Sequence, residues 1–184
     1  MLSGAMHAFR REGYEAVSIR DLEEATGLKA GSIYNSFGDK AGLFDAAFAH
    51  YNHVVLEGRI ARHAPVEHGL DGLRDLFLSL LHEPNGETFG CLITNSAIEF
   101  GAAPRPHRCV EEGLQALMRA FTTRLEEARD RKTLRAGLEP AEAATKLLVL
   151  YQGILVLVRA GHDVAALERL ITDECKDLEK SHDS

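Results

Sequence analysis

Between Ser18 and Leu43 the sequence SIRDLEEATGLKAGSIYNSFGDKAGL leaves the backbone few choices. Ser18 is a good N-cap, and Asp21 stands at the spacing of a capping box, with Ile19, Leu22 and Ala25 as an apolar stripe behind it. Gly27 ends that helix, because glycine adopts the left-handed C-terminal cap without a side-chain clash. A second short helix is expected from Ala30 to Ser36, and Asp39 caps a third. Two short helices joined this tightly form a helix-turn-helix.

The second helix has the surface of a DNA reader. Ala30, Gly31 and Ser32 are small and allow its backbone to approach a groove wall, Tyr34 and Asn35 offer hydrogen bonds, and Ile33 and Phe37 point into a core. Lys40 places a cation in the first turn of the third helix, where the macrodipole is already positive. A bundle gains nothing from that, so phosphate contact is the expectation.

Phe9-x-x-x-Gly13-Tyr14, Ser18-x-Arg20-x-Leu22, Gly27-Leu28 and Gly31-Ser32-Ile33-Tyr34-x-x-Phe37-x-x-Lys40-x-x-Leu43 resemble the DNA-binding domain of the TetR/AcrR family of bacterial transcriptional regulators. The resemblance covers about a quarter of the chain and is looser beyond it. It implies an all-α homodimeric repressor with a helix-turn-helix head at 1–46 and a ligand-binding and dimerisation body at 47–184. In the family the N-terminal heads read a palindrome, which implies a palindromic operator in double-stranded DNA as partner here. The implied DNA-binding residues are Arg20, Lys29, Ala30, Gly31, Ser32, Tyr34, Asn35 and Lys40, with Arg20 at the base-reading position of its helix; arginine favours guanine edges. Three positions depart from the family pattern: Lys29 replaces a small hydroxyl residue, Glu23 an alanine, and Gly42 an acid.

The remaining chain repeats apolar residues at three- and four-residue spacing and has no alternating Val/Ile/Thr run, which makes the class all-α. Leu2 to Arg11 is the first helix, with Leu2, Ala5 and Phe9 expected against the reader. The third head helix is expected to run on past Tyr51 and Val55 to about His63. Further helices follow at 69–82, 90–101, 110–132, 140–160 and 164–178, with a breaker-rich loop at Glu83–Glu87, a helix start at Pro104 and Pro106, and a frayed tail after Lys180. Gly90-Cys91-Leu92 resembles the opening of a cavity-bordering helix in one branch of the family. Tyr51, Val55, Phe77, Cys91, Asn95, Phe121 and Tyr151 are the expected contacts of a small apolar or amphipathic effector. The helix from Pro140 is apolar nearly all round between Leu147 and Val158, more than one core face uses. Leu150, Ile154, Leu157, Leu167 and Ile171 are therefore expected at the homodimer interface, which in the family is a four-helix bundle.

Other classes fare worse. The net charge of −7 is unusual for a DNA binder, and residues 1–50 hold five basic and seven acidic side chains, a balance of −2. Binding responds to the local field rather than the sum, so modest non-specific affinity is expected. No metal, cofactor or catalytic residue is expected, since the nine histidines form no ligand set and no nucleophile stands with a base. Three widely spaced cysteines and no signal peptide point to the cytoplasm. Lys146, Gln152-Gly153 and Arg159 are expected to interrupt any membrane span. Two alternatives stay open: a thiol- or electrophile-sensing regulator of the same fold, using Cys91 or Cys109, and a helical ligand carrier or enzyme with a vestigial head.

Overall fold

The computed structural model describes residues 1–82, 90–101 and 107–180. The expected loop at Glu83–Glu87, the helix start at Pro104 and Pro106, and the tail beyond Lys180 lie outside them. Among the described residues the chain is helical, and its one β-type pairing is an isolated bridge between Leu134 and Glu179. It divides into two compact units, Met1–Glu57 with Phe89–Gly113, and Gly58–Thr88 with Leu114–Ser184.

The first unit contains α1 (Leu2–Glu12), α2 (Ile19–Thr26), α3 (Ala30–Phe37), α4 (Lys40–His50), a π-helical stretch (Tyr51–Glu57) and α7 (Leu92–Phe100). Phe9, Leu22, Ile33, Leu43, Phe44 and Phe48 are fully buried and form its core. The Phe9 and Phe44 rings meet edge to face at 5.0 Å, and Tyr14 and Phe100 each pack edge-on against Phe44. Contrary to the sequence expectation, α1 packs chiefly on α4 and α2 rather than on α3. Two glycines permit the close approach of these helices. A Cβ at Gly4 would lie 1.8 Å from the Ala25 carbonyl oxygen, and one at Gly42 would lie 2.0 Å from that of Phe37. Gly42 is thus a packing requirement, and Asp39 supplies the cap of α4 by accepting from the Gly42 amide at 2.8 Å. Ala25, expected in the apolar stripe, is exposed, because α2 turns only Leu22 fully inward.

The second unit contains α5 (Gly58–His63), a 3₁₀ turn (Val66–His68), α6 (Gly69–Leu78), α9 (Pro140–Arg159) and α10 (Val164–Lys176), with most of α8 (His107–Asp130). The helical run from Lys40 to His63 occurs as expected, but its centre is widened to π geometry. Phe77, Phe121 and Tyr151 form a buried ring cluster with centroids 5.6–6.0 Å apart. Thr133 and Arg135 link the segment after α8 to the end of α10: the Arg135 amide donates to the Leu178 carbonyl, and the Lys180 amide to that of Thr133.

By length and composition α9 is long and apolar enough to cross a membrane, contrary to the sequence expectation: glutamine and glycine interrupt a span far less than charges do. Its face of Ala143, Ala144, Leu147, Tyr151, Ile154, Leu155 and Val158 is nevertheless buried by the chain itself, as in a core helix.

Candidate nucleic-acid interface

The head is built by local chemistry. The Ser18 hydroxyl accepts from the Asp21 amide at 3.2 Å, while the Asp21 carboxylate accepts from the Ser18 amide at 2.8 Å and from its hydroxyl at 2.6 Å. The hydroxyl bond first, and the amide bond second, hold the Asp21 carboxyl below the usual carboxylate range. Gly27 closes α2 in the left-handed region with φ 73°. Within the turn, Thr26 Oγ1 donates to the Leu22 carbonyl at 2.6 Å and accepts from the Leu28 amide at 3.2 Å.

α3 follows with two faces. Ile33 is fully buried, whereas Gly31, Ser32, Tyr34, Asn35 and Ser36 are exposed, Tyr34 at 48%. Ala30 is half-buried at the start of the helix. Lys29 occupies the N-cap with an extended backbone and makes no capping bond, because an ammonium accepts none. The cap comes from α2: Glu23 Oε1 accepts from the Ala30 amide at 2.7 Å. Sequence reasoning missed Glu23 in this part; a lysine at an N-cap with a carboxylate one helix earlier was the available signal.

The other cations are placed as follows. Arg20 is exposed and 3.8 Å from Glu24, one turn along α2, a loose pair that leaves the guanidinium accessible. Lys29 is exposed. Lys40 corrects the sequence argument: its ammonium lies 4.8 Å above the Tyr14 ring and donates to the Glu15 carbonyl at 3.3 Å. The bundle therefore does gain from this cation, by cation–π attraction and a charged hydrogen bond.

α7 is fastened to the head. The Glu99 carboxylate accepts from the amides of Tyr14 and Glu15 at 2.9 and 2.8 Å, and the Phe100 ring packs edge-on against Tyr14 at 5.6 Å. Asn95 Nδ2 donates to the Arg10 carbonyl at 3.0 Å, and the buried Arg10 guanidinium donates to the Gly90 carbonyl. Of the expected effector contacts, Tyr51, Val55, Cys91 and Asn95 fall in this unit, whereas Phe77, Phe121 and Tyr151 belong to the ring cluster of the second. Tyr51 donates its hydroxyl to Cys91 Sγ at 3.1 Å, and both side chains are buried.

Two of the thiols are held protonated. Burial and then Asp45, whose carboxylate accepts from the thiol at 3.7 Å, push Cys109 up to about 11. Burial pushes Cys175 up to about 12. Among the described residues no His, Cys, Asp and Glu side chains group as metal ligands.

The expected dimer residues need correction. Ile154, Leu167 and Ile171 are buried within the single chain, and Leu150 half so; α10, which carries Leu167 and Ile171, packs on α6. Leu157, 37% exposed, does face outward, together with Val149 at 69%, Val156 at 43% and Leu170 at 38%.

Comparison with known proteins agrees with this geometry. The family model described as "Bacterial regulatory proteins, tetR family" matches residues 1–47, and that described as "Tetracyclin repressor-like, C-terminal domain" matches residues 69–173. The repressor AcnR of Corynebacterium glutamicum is 50% identical over 44 residues, 24% of this chain and 23% of AcnR, so the match spans under a quarter of that relative. The uncharacterized regulator YezE of Bacillus subtilis is 30% identical over 178 residues, 92% of this chain and 88% of YezE. A cysteine mutant of the regulator CifR, solved with 26-bp double-strand operator DNA, is 25% identical, with a TM-score of 0.78 over 95% of this chain and 93% of that one.

Proposed function

The chain belongs to the TetR family of bacterial regulatory proteins, and from that premise we propose that it is a cytoplasmic transcriptional repressor that binds an operator as a homodimer. The observation that carries the proposal is the two-faced α3: Ile33 anchors it while Ser32, Tyr34 and Asn35 stand free for a groove. The operator-bound state of CifR supports the same use of the fold. Phosphate contacts by Lys29, Tyr34 and Lys40 set the register, and Arg20 and Asn35 read base edges. α9 and α10 supply the dimer contact through Val149, Val156, Leu157 and Leu170. Two-fold symmetry then sets half-sites about 34–36 Å apart, or a multiple of that.

Release follows from α7 and the Lys40–His63 run. A small apolar or amphipathic effector lodging beside Tyr51, Val55 and Cys91 shifts the π-helical stretch and α7. Asn95, Glu99 and Phe100 pass that shift to the Arg10–Glu15 segment of the head. π-helical turns recur at functional sites, which supports this placement. Linkage requires that the effector favour the DNA-incompetent state and that DNA weaken effector binding by the same factor.

Selection of random-centre duplexes on the purified protein tests the DNA-reading role. Enrichment of an inverted repeat is expected, with Arg20→Ala relaxing the preference and Tyr34→Phe weakening all duplexes about equally. A protein that enriches no sequence contradicts the proposal. A thermal-shift screen of small molecules then identifies the effector, since a specific binder raises the melting temperature.

A further inference from the structure

α3 has eight residues, too few to hold its own shape in water, so its start must be fixed from outside. Ile33 fixes the middle from the core side. At the start, Lys29 has no acceptor to offer, and among the described residues the first amide of the helix, Ala30, donates to Glu23 Oε1 at 2.7 Å. Glu23 lies on α2, which is itself tied to Ser18 and to the Thr26 turn. We infer that Glu23 is a positioning residue for sequence reading: its carboxylate caps α3 from the preceding helix and fixes the angle at which Gly31, Ser32, Tyr34 and Asn35 meet a base edge.

This inference rests on the DNA-reading role proposed above. The carboxylate also complements the positive end of the α3 macrodipole. Its contribution falls on orientation, so loss of Glu23 lowers the ratio of specific to non-specific affinity rather than affinity at large. α2 does not suffer from Glu23→Ala, since alanine is the better helix former.

The test uses the full chain, a duplex enriched by the wild-type protein, and a scrambled duplex of equal length. Glu23→Ala is expected to lower the affinity ratio about fivefold, the equilibrium shift that loss of one cap corresponds to, and to speed amide exchange at Ala30. Adding Lys29→Ser, whose hydroxyl at the N-cap accepts from the Gly31 or Ser32 amide, restores the ratio while Ala30 exchange stays fast. Any loss of a phosphate contact from Lys29 affects both duplexes and drops out of the ratio. Glu23→Gln, which keeps an acceptor, retains the wild-type ratio.

An unchanged ratio with unchanged Ala30 exchange in Glu23→Ala overturns the inference, as does a lowered ratio that Lys29→Ser leaves unrepaired. If the wild-type protein binds both duplexes alike, the DNA-reading role fails instead. Ala30 exchange still decides whether Glu23 caps α3.

Discussion

Replacing Gly42 by alanine sets two effects of known sign against each other. Alanine is the better helix former, by about 1 kcal/mol at an interior position and less in a first turn, which favours the variant. The added methyl would lie 2.0 Å from the Phe37 carbonyl oxygen and 3.1 Å from its carbon. A carbon–oxygen contact relaxes only near 3.3 Å, so this backbone carbonyl must retreat by roughly 1.3 Å. Overpacking of this kind costs about 1–3 kcal/mol and exceeds the helix gain. A net loss of roughly 1–2 kcal/mol is expected, or about 2–8 °C in melting temperature for a chain of this size. Gly31→Ala is the control: it also stands in the first turn of its helix, with nothing within 4 Å of the new methyl, so it is expected to be neutral or stabilising. Chemical denaturation of the two variants beside wild type is the assay. A Gly42→Ala protein as stable as Gly31→Ala would refute the close packing of α4 on the end of α3.

Removing the Glu99 carboxylate as Glu99→Ala is expected to speed amide exchange at Tyr14 and Glu15 and to cost roughly 1–2 kcal/mol; unchanged exchange would show that α7 does not hold the head. Val156→Asp is expected to convert the dimer to a soluble monomer by light scattering, whereas Leu167→Asp instead lowers stability through the core; a dimer that survives Val156→Asp contradicts the interface. At neutral pH, Cys109 in the native protein is expected to alkylate about tenfold more slowly than in the unfolded chain. That figure sets its raised pKa against the greater nucleophilicity of a more basic thiolate. The rate rises until the pH passes about 11. Rapid alkylation of Cys109 near pH 7, read by peptide mass, would contradict this and favour the thiol-sensing alternative at Cys109.

The head was legible wherever its chemistry is local. The Ser18–Asp21 box, the Gly27 cap and the Asp39 cap each depend on residues at most four apart, and a chain segment announces such bonds. What the sequence hid lies farther apart. Glu99 meets the Tyr14 and Glu15 amides across 85 and 84 residues, and neither partner carries a mark that it will be bound. Lys40 over Tyr14 is hidden for the same reason, since the sequence alone offers phosphate as its partner. The dimer face failed on direction: Leu167 and Ile171 form a helical stripe, and a stripe looks the same whether it faces its own core or a second subunit. The aromatic residues expected at an effector carry the same ambiguity: Phe77, Phe121 and Tyr151 pack on one another, as rings of a core and rings beside a ligand both do.

Hydrogen exchange along the chain, with and without an enriched duplex, measures DNA reading by the exposed face of α3 most directly. Slowed exchange at residues 29–36, with a smaller effect at the start of α4 and none along α10, is the expected pattern. Duplex binding that leaves 29–36 unprotected, or that protects α9 and α10 instead, would contradict the assignment of α3 as the reader.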